Sequence, residues 1–204
     1  MNNNLYRKCL TFDFEKLFKE KGYAWFSKGA YNLNIIGVRH TAEKCNDTYS
    51  DVLVLVYNTE TKTKRMVYTI TTTPSLYYLK NPIATKGTAI LVPGQYRGCF
   101  KIGLHKGEYK ALCQAKPVKV YRDYNKDDVY DLEPETIEEG IYGINIHRSA
   151  KEYKRNTIGK YSAGCQVFTD PKEFIAFLRI CSEQEKRYGN SFTYTLINES
   201  DLKL

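Results

Sequence analysis

A histidine closes the apolar-alternating run Ile144-Asn145-Ile146-His147, and one loop later comes Ser162-Ala163-Gly164-Cys165. Those residue types allow one chemistry in particular, a cysteine thiolate served by an imidazole base. A free cysteine titrates near ~8.5, and a neighbouring imidazolium brings its thiolate into the neutral range. Gly164 leaves the backbone beside the sulfur uncrowded, so amide N–H groups there have room to hold a developing oxyanion. His105 lies in the glycine-flanked turn Gly103-Leu104-His105-Lys106-Gly107 and is the reserve base. Taken alone, a cysteine is more often a small buried hydrophobe than a nucleophile. The order of the two residues, with Ser-x-Gly before the thiol, is what favours chemistry.

This arrangement resembles the L,D-transpeptidase catalytic domain, whose signature is a strand-borne His, a gap, then Ser/Thr-x-Gly-Cys. His147, Ser162, Gly164 and Cys165 carry the resemblance. Upstream, Val92-Pro93-Gly94-Gln95-Tyr96 stands where that family has Thr-Pro-x-Gly-x-Phe. The resemblance implies a cysteine acyl-enzyme that attacks a peptide carbonyl in bacterial wall stems. Cys165 is then the nucleophile and His147 the base, while Gly164 and Ser162 shape the turn. Arg148, Asn145, Gln166 and His105 are the candidate substrate contacts. Three positions depart from the family. Ala163 replaces a His or other polar residue, Arg148 replaces Gly, and Gln166-Val167-Phe168 replaces an apolar residue followed by Arg or Asn. These departures motivate a second reading, a catalytically silent wall-binding or virion structural protein on the same fold.

The elements that must position these groups are short. Asp13, with Phe14, Leu17 and Phe18 before Gly22, reads as a capped amphipathic helix. Runs 34–38, 51–57 and 65–71 read as strands, the last two joined by a polar turn in a hairpin. Runs 88–92, 96–104, 109–114 and 118–122 alternate with turn signals. Alternation over 141–147 places Asn145 and His147 on one face of a strand. The polar loop 148–161 is long enough for a flap, and its Arg148, Lys151, Lys154, Arg155 and Lys160 are candidates to receive carboxylates. Asp170-Pro171 then opens a helix with Phe174, Phe177, Leu178 and Cys181 on one face, and 192–197 forms a last strand. The expected fold is α+β, mainly β: an L,D-transpeptidase-like β-sandwich or barrel with an N-terminal and a C-terminal helix. Residues 1–30 are expected to form an N-terminal helical extension, and 31–204 a single catalytic domain.

Composition limits the partners. The 204-residue chain has a formal charge of +8, which suits nucleic acid, anionic lipid or a bacterial envelope. Its basic residues are scattered, with Lys62, Lys64 and Arg65 the densest run, and no nucleic-acid module is recognisable. Peptidoglycan, rather than nucleic acid, is the expected partner. Six cysteines without a C-x-x-C pair argue for reduced thiols and no zinc site. The run Asp123 to Asp131 has the oxygen rhythm of a calcium loop, yet it lacks Gly at the sixth position and has Pro134 at the twelfth. A solvated acidic turn is expected there, with no metal and no cofactor. There is no apolar run of ~18 residues, hence no expected membrane span. With no apolar signal at the start, the expected setting is the host cytoplasm before lysis, or a virion. The resulting reading is a cysteine-dependent stem-peptide hydrolase or transpeptidase, of phage-lysin type.

Overall fold

The computed structural model describes residues 3–203. Eight strands close into a barrel. They are β1 (Asn34–Arg39), β2 (Asp51–Asn58), β3 (Thr63–Thr71), β5 (Gly94–His105), β6 (Tyr109–Gln114), β9 (Ile146–Arg148), β10 (Gln166–Phe168) and β11 (Phe192–Asn198). Around the barrel the order is β1-β11-β5-β6-β9-β10-β3-β2. The joins β1–β11 and β9–β10 are parallel and the rest antiparallel. A separate three-stranded sheet has the order β4 (Thr88–Leu91), β7 (Val118–Asp123), β8 (Glu138–Gly140).

The continuous apolar run in β2 has a clear cause. Leu53, Leu55 and Tyr57 enter the main core, while Val52, Val54 and Val56 enter a second cluster. Successive side chains on a strand point to opposite faces, so β2 is buried on both. The second cluster lies under two N-terminal helices, α1 (Asn3–Thr11) and α2 (Phe14–Glu20). Leu5, Cys9, Phe14 and Phe18 pack there against Ile36, Val38 and Ile197. Burying each phenylalanine contributes about 1.5–3 kcal/mol. The N-terminal segment is therefore a layer of the fold, sharing its core with β1 and β2, where the sequence suggested an extension. Asp13 caps α2 as expected, its carboxylate accepting the Lys16 N–H at 3.0 Å. α1 went unread because only Leu5 and Cys9 of its residues are buried, too few for a periodic signal.

The C-terminal helix α4 (Pro171–Tyr188) is capped by Asp170 and buries Phe174, Phe177 and Cys181, following the sequence pattern. A five-residue helix, α3 (Leu76–Lys80), capped by Ser75, was not legible. In the acidic run, Asn125 and Asp127 accept backbone N–H groups two residues on, and Asp128 pairs with Lys44 at 3.5 Å. Two of those oxygens serve turns and the third an ion pair. No cluster of three metal-capable side chains occurs among the described residues.

Candidate active site

The parallel pair β9–β10 places the candidate cysteine and histidine. Gln166 lies opposite Ile146 and Val167 opposite His147, and the Gln166 N–H donates to Asn145 O at 2.9 Å. Cys165, one position before Gln166, therefore sits beside Asn145, two residues from His147. Side chains two apart share a face. Cys165, His147, Asn145 and His105 all line one cleft of about 390 Å³.

The turn before the thiol is tightly specified. Gly164 has φ +119, and a Cβ there would lie 2.2 Å from Ala89 O in β4. Glycine is required on both counts. Ser162 Oγ lies 2.9 Å from both Thr73 O and Cys165 O and accepts the Gly164 N–H at 3.2 Å. Ser162 is fully buried and fixes the turn. Gln166, read from the sequence as a substrate contact, is also fully buried. Its amide donates to Gly164 O at 3.2 Å and accepts the Tyr194 hydroxyl at 2.8 Å. Tyr194 has room because β1 carries Gly37, where a Cβ would lie 1.8 Å from the Tyr194 oxygen. Gln166 thus supports the turn from the core side. Arg148 is likewise absent from the cleft lining, its guanidinium lying over the Tyr109 ring at 4.0 Å.

The imidazole has a defined tautomer. His147 Nδ1 lies 2.8 Å from Arg148 O, which can only accept, so Nδ1 carries the proton. The Tyr109 hydroxyl also donates to Arg148 O, at 3.3 Å. Nε2 then holds a lone pair, and it is buried without a hydrogen-bond partner among the described residues. Burial, with His105 close by, lowers the His147 pKa to about 3, so the ring is neutral. His105 stacks on it with centroids 4.0 Å apart. The Asn145 side-chain oxygen accepts the Gln114 N–H at 2.9 Å, so its amide nitrogen donates to His105 Nδ1 at 3.0 Å. His105 therefore carries its proton on Nε2.

The thiol is neutral at rest. Burial raises it to about 11, against an opposing hydrogen bond from Asn145 N–H. That N–H reaches Sγ at 3.5 Å, and the thiol proton points to Gly143 O at 3.3 Å. The Gly143 turn, at φ +71, is held by a residue that sequence reasoning missed. Gln114 accepts the N–H groups of Tyr142 and Ile144, each at 3.0 Å, and donates to Gly140 O at 2.8 Å and Lys116 O at 3.0 Å. This bond set also explains why 141–145 is not a strand: its N–H groups answer to a side chain. A polar residue ending a strand gives no sequence signal of such a role.

Comparison with known protein families, curated proteins and solved structures finds no match.

Proposed function

We propose that the chain is a cysteine-dependent acyl-transfer enzyme acting on the stem peptides of bacterial peptidoglycan. The observation that carries this reading is the neutral His147 with its free Nε2 lone pair, on the same strand face and in the same cleft as Cys165. In the proposed reaction the thiol proton leaves Gly143 O and passes to His147 Nε2. This transfer requires the two side chains to close up on substrate, since no hydrogen bond joins them at rest. The sulfur bonds to the stem carbonyl carbon, giving a tetrahedral oxyanion. The Gly164 N–H does not serve it, being taken by Ser162 Oγ. Collapse breaks the C–N bond, the leaving amine takes the proton from Nε2, and a thioester remains. Water or a second amine then attacks the thioester, giving hydrolysis or a new cross-link.

One experiment tests this reading. Purified protein is incubated with isolated sacculi beside Cys165→Ala, and the muropeptides are read by mass. Cleaved stems lost in the variant support hydrolysis, as a lysin requires, and new cross-links support transfer. His147→Ala is expected to slow either by roughly 10²–10⁴-fold.

A second reading, wall binding without chemistry, is favoured by the thiol proton resting on Gly143 O and by the raised thiol pKa. Equal sacculus binding by both proteins, with unchanged muropeptides, selects it.

A further inference from the structure

Charge is segregated along this chain. Between Asp123 and Glu139 stand eight carboxylates and one cation, Lys126, a net of −7. The whole chain carries +8, so everything outside that segment carries +15. Asp123 is buried, Asp128 pairs with Lys44, and Glu138 pairs with Lys86 and Arg122. Asp127, Asp131, Glu133, Glu135 and Glu139 have no ion pair among the described residues. The loop 148–161 is the converse, with five cations and one acid, Glu152. Only Lys160 of the five lines the cleft, and none forms an ion pair among the described residues. Arg148, Arg155 and Lys160 lie over tyrosine rings. Lys151 and Lys154 are exposed, and Lys154 faces Glu173 of α4 without pairing to it.

One loop holds the two segments side by side. The Lys44 backbone bridges to Val129, and the Cys45 N–H donates to Asp128 O at 2.7 Å. Four residues after Lys44, Thr48 bridges to Thr157, and the Ile158 N–H donates to Asp47 O at 2.9 Å. Lys44 and Thr48 are at most about 14 Å apart along the chain. The molecule therefore presents a negative strip and a positive strip next to each other, with no ion pair joining them among the described residues. Tyr124 and Leu132 stand exposed in the first strip and Tyr153 in the second.

We infer that a second copy of this chain covers both strips in a two-fold dimer. A two-fold rotation sets each copy's acidic strip against the other's basic strip, so every contact is made twice. A copy of the chain fits both strips at once, whereas a basic or an acidic partner fits only one. The exposed tyrosines supply apolar contact between the charged rows. Nothing here depends on the acyl-transfer reading.

The test is sedimentation equilibrium of the full, nuclease-treated chain over a range of concentration and salt. At ~0.01 M salt, where charges act over ~30 Å, the apparent mass is expected to rise with concentration toward a dimer. At ~1 M salt, where that reach is ~3 Å, it is expected to return to the single chain's 23.7 kDa. Glu133→Lys/Glu135→Lys/Glu139→Lys and Lys151→Glu/Lys154→Glu are each expected to be monomeric alone, since reversal sets like charges together. Mixed at low salt, they are expected to associate one to one, because each strip again meets its opposite. Both variants keep a net positive charge, so bulk attraction does not bring them together. The milder Glu133→Gln/Glu135→Gln/Glu139→Gln is expected to weaken the dimer, which separates lost charge from a folding defect. A wild-type chain that stays monomeric at low salt would overturn the inference. So would association that strengthens with salt, or that disappears once nucleic acid is removed, the basic loops then being bridged by a polyanion. Association that survives either reversal alone, or a mixture that stays monomeric while both variants keep the wild-type circular dichroism, would overturn the assignment to these strips.

Discussion

The imidazole of His147 lies almost face to face with that of His105, centroids 4.0 Å apart and planes 22° apart. Protonating either ring places a cation against the other in a dry setting. His147 is 3% exposed, and burial is the larger cause of its lowered pKa. Two neutral rings, one protonated at Nδ1 and the other at Nε2, are the arrangement that the surrounding hydrogen bonds fix.

His105→Phe keeps the cavity dry and is expected to leave His147 titrating near its present low value. His105→Ala admits water and is expected to raise it by about a unit or more. NMR titration of the His147 ring distinguishes the two. The stability consequence has a definite sign. The folded pKa, about 3, lies below the ordinary 6.5, so between these values the unfolded chain binds the proton and the folded chain does not. Stability therefore falls as pH drops through that window, by roughly 4–5 kcal/mol from this residue at ~1.36 kcal/mol per pH unit. Urea midpoints at pH 7 and pH 4 should converge in His147→Gln.

Gly164→Ala is expected to cost roughly 2–4 kcal/mol, because left-handed backbone strain adds to a collision with Ala89 O. Gly143→Ala has open space around its Cβ and is expected to cost only about 1–2 kcal/mol. Thermal unfolding of the two variants gives the comparison. An equal cost for both would remove the steric argument for Gly164.

Gln114→Leu strands two N–H groups and two carbonyls at the Gly143 turn. The expected loss is about 2–4 kcal/mol, with faster modification of Cys165 as the turn loosens. Gln114→Glu retains the accepting oxygen but sets a second carboxylate oxygen against the Gly140 and Lys116 carbonyls, so its loss should be at least as large. Urea unfolding and thiol modification rates check both.

Asp123 in β7 is 0% exposed, and its Oδ1 lacks a hydrogen-bond partner among the described residues. Burial raises its pKa to about 6. Because the folded value lies above the ordinary 3.8, the stability linked to its proton is present in acid and lost as pH rises through 6. Asp123→Asn is therefore expected to stabilise the protein by about 2 kcal/mol at pH 7 and by little at pH 4. Unfolding curves at those pH values test the sign.

Much of the barrel was legible because its strands carry their own signals. β2 reads as a continuous apolar run, β6 is bounded by turns, and α4 carries Asp170-Pro171 at its start. The cleft was legible where residues alternate on a strand, as with Asn145 and His147. It was not legible where a side chain's role depends on distant partners. Gln166 looked like a surface contact because nothing local announces that Tyr194, 28 positions away, will take its carbonyl oxygen. Four loop cations were overvalued as cleft contacts, because which cations face a cleft is decided by loop conformation. The packing of the two N-terminal helices shows the same limit: their partners lie on β1, β2, β3 and β11, and only the assembled sheet supplies them.

Strands β9 and β10 have three residues each, and Leu112–Ile146 is the one residue pair joining β9 to β6. Barrel closure and the placing of Cys165 and His147 in one cleft therefore depend on the same short seam. A folding chain with both hairpins and the C-terminal helix in place but this seam open has most of its core without this cleft. Cys165 and His147 come to line one cleft only when the ring is complete, so an unfinished molecule of this protein leaves them apart.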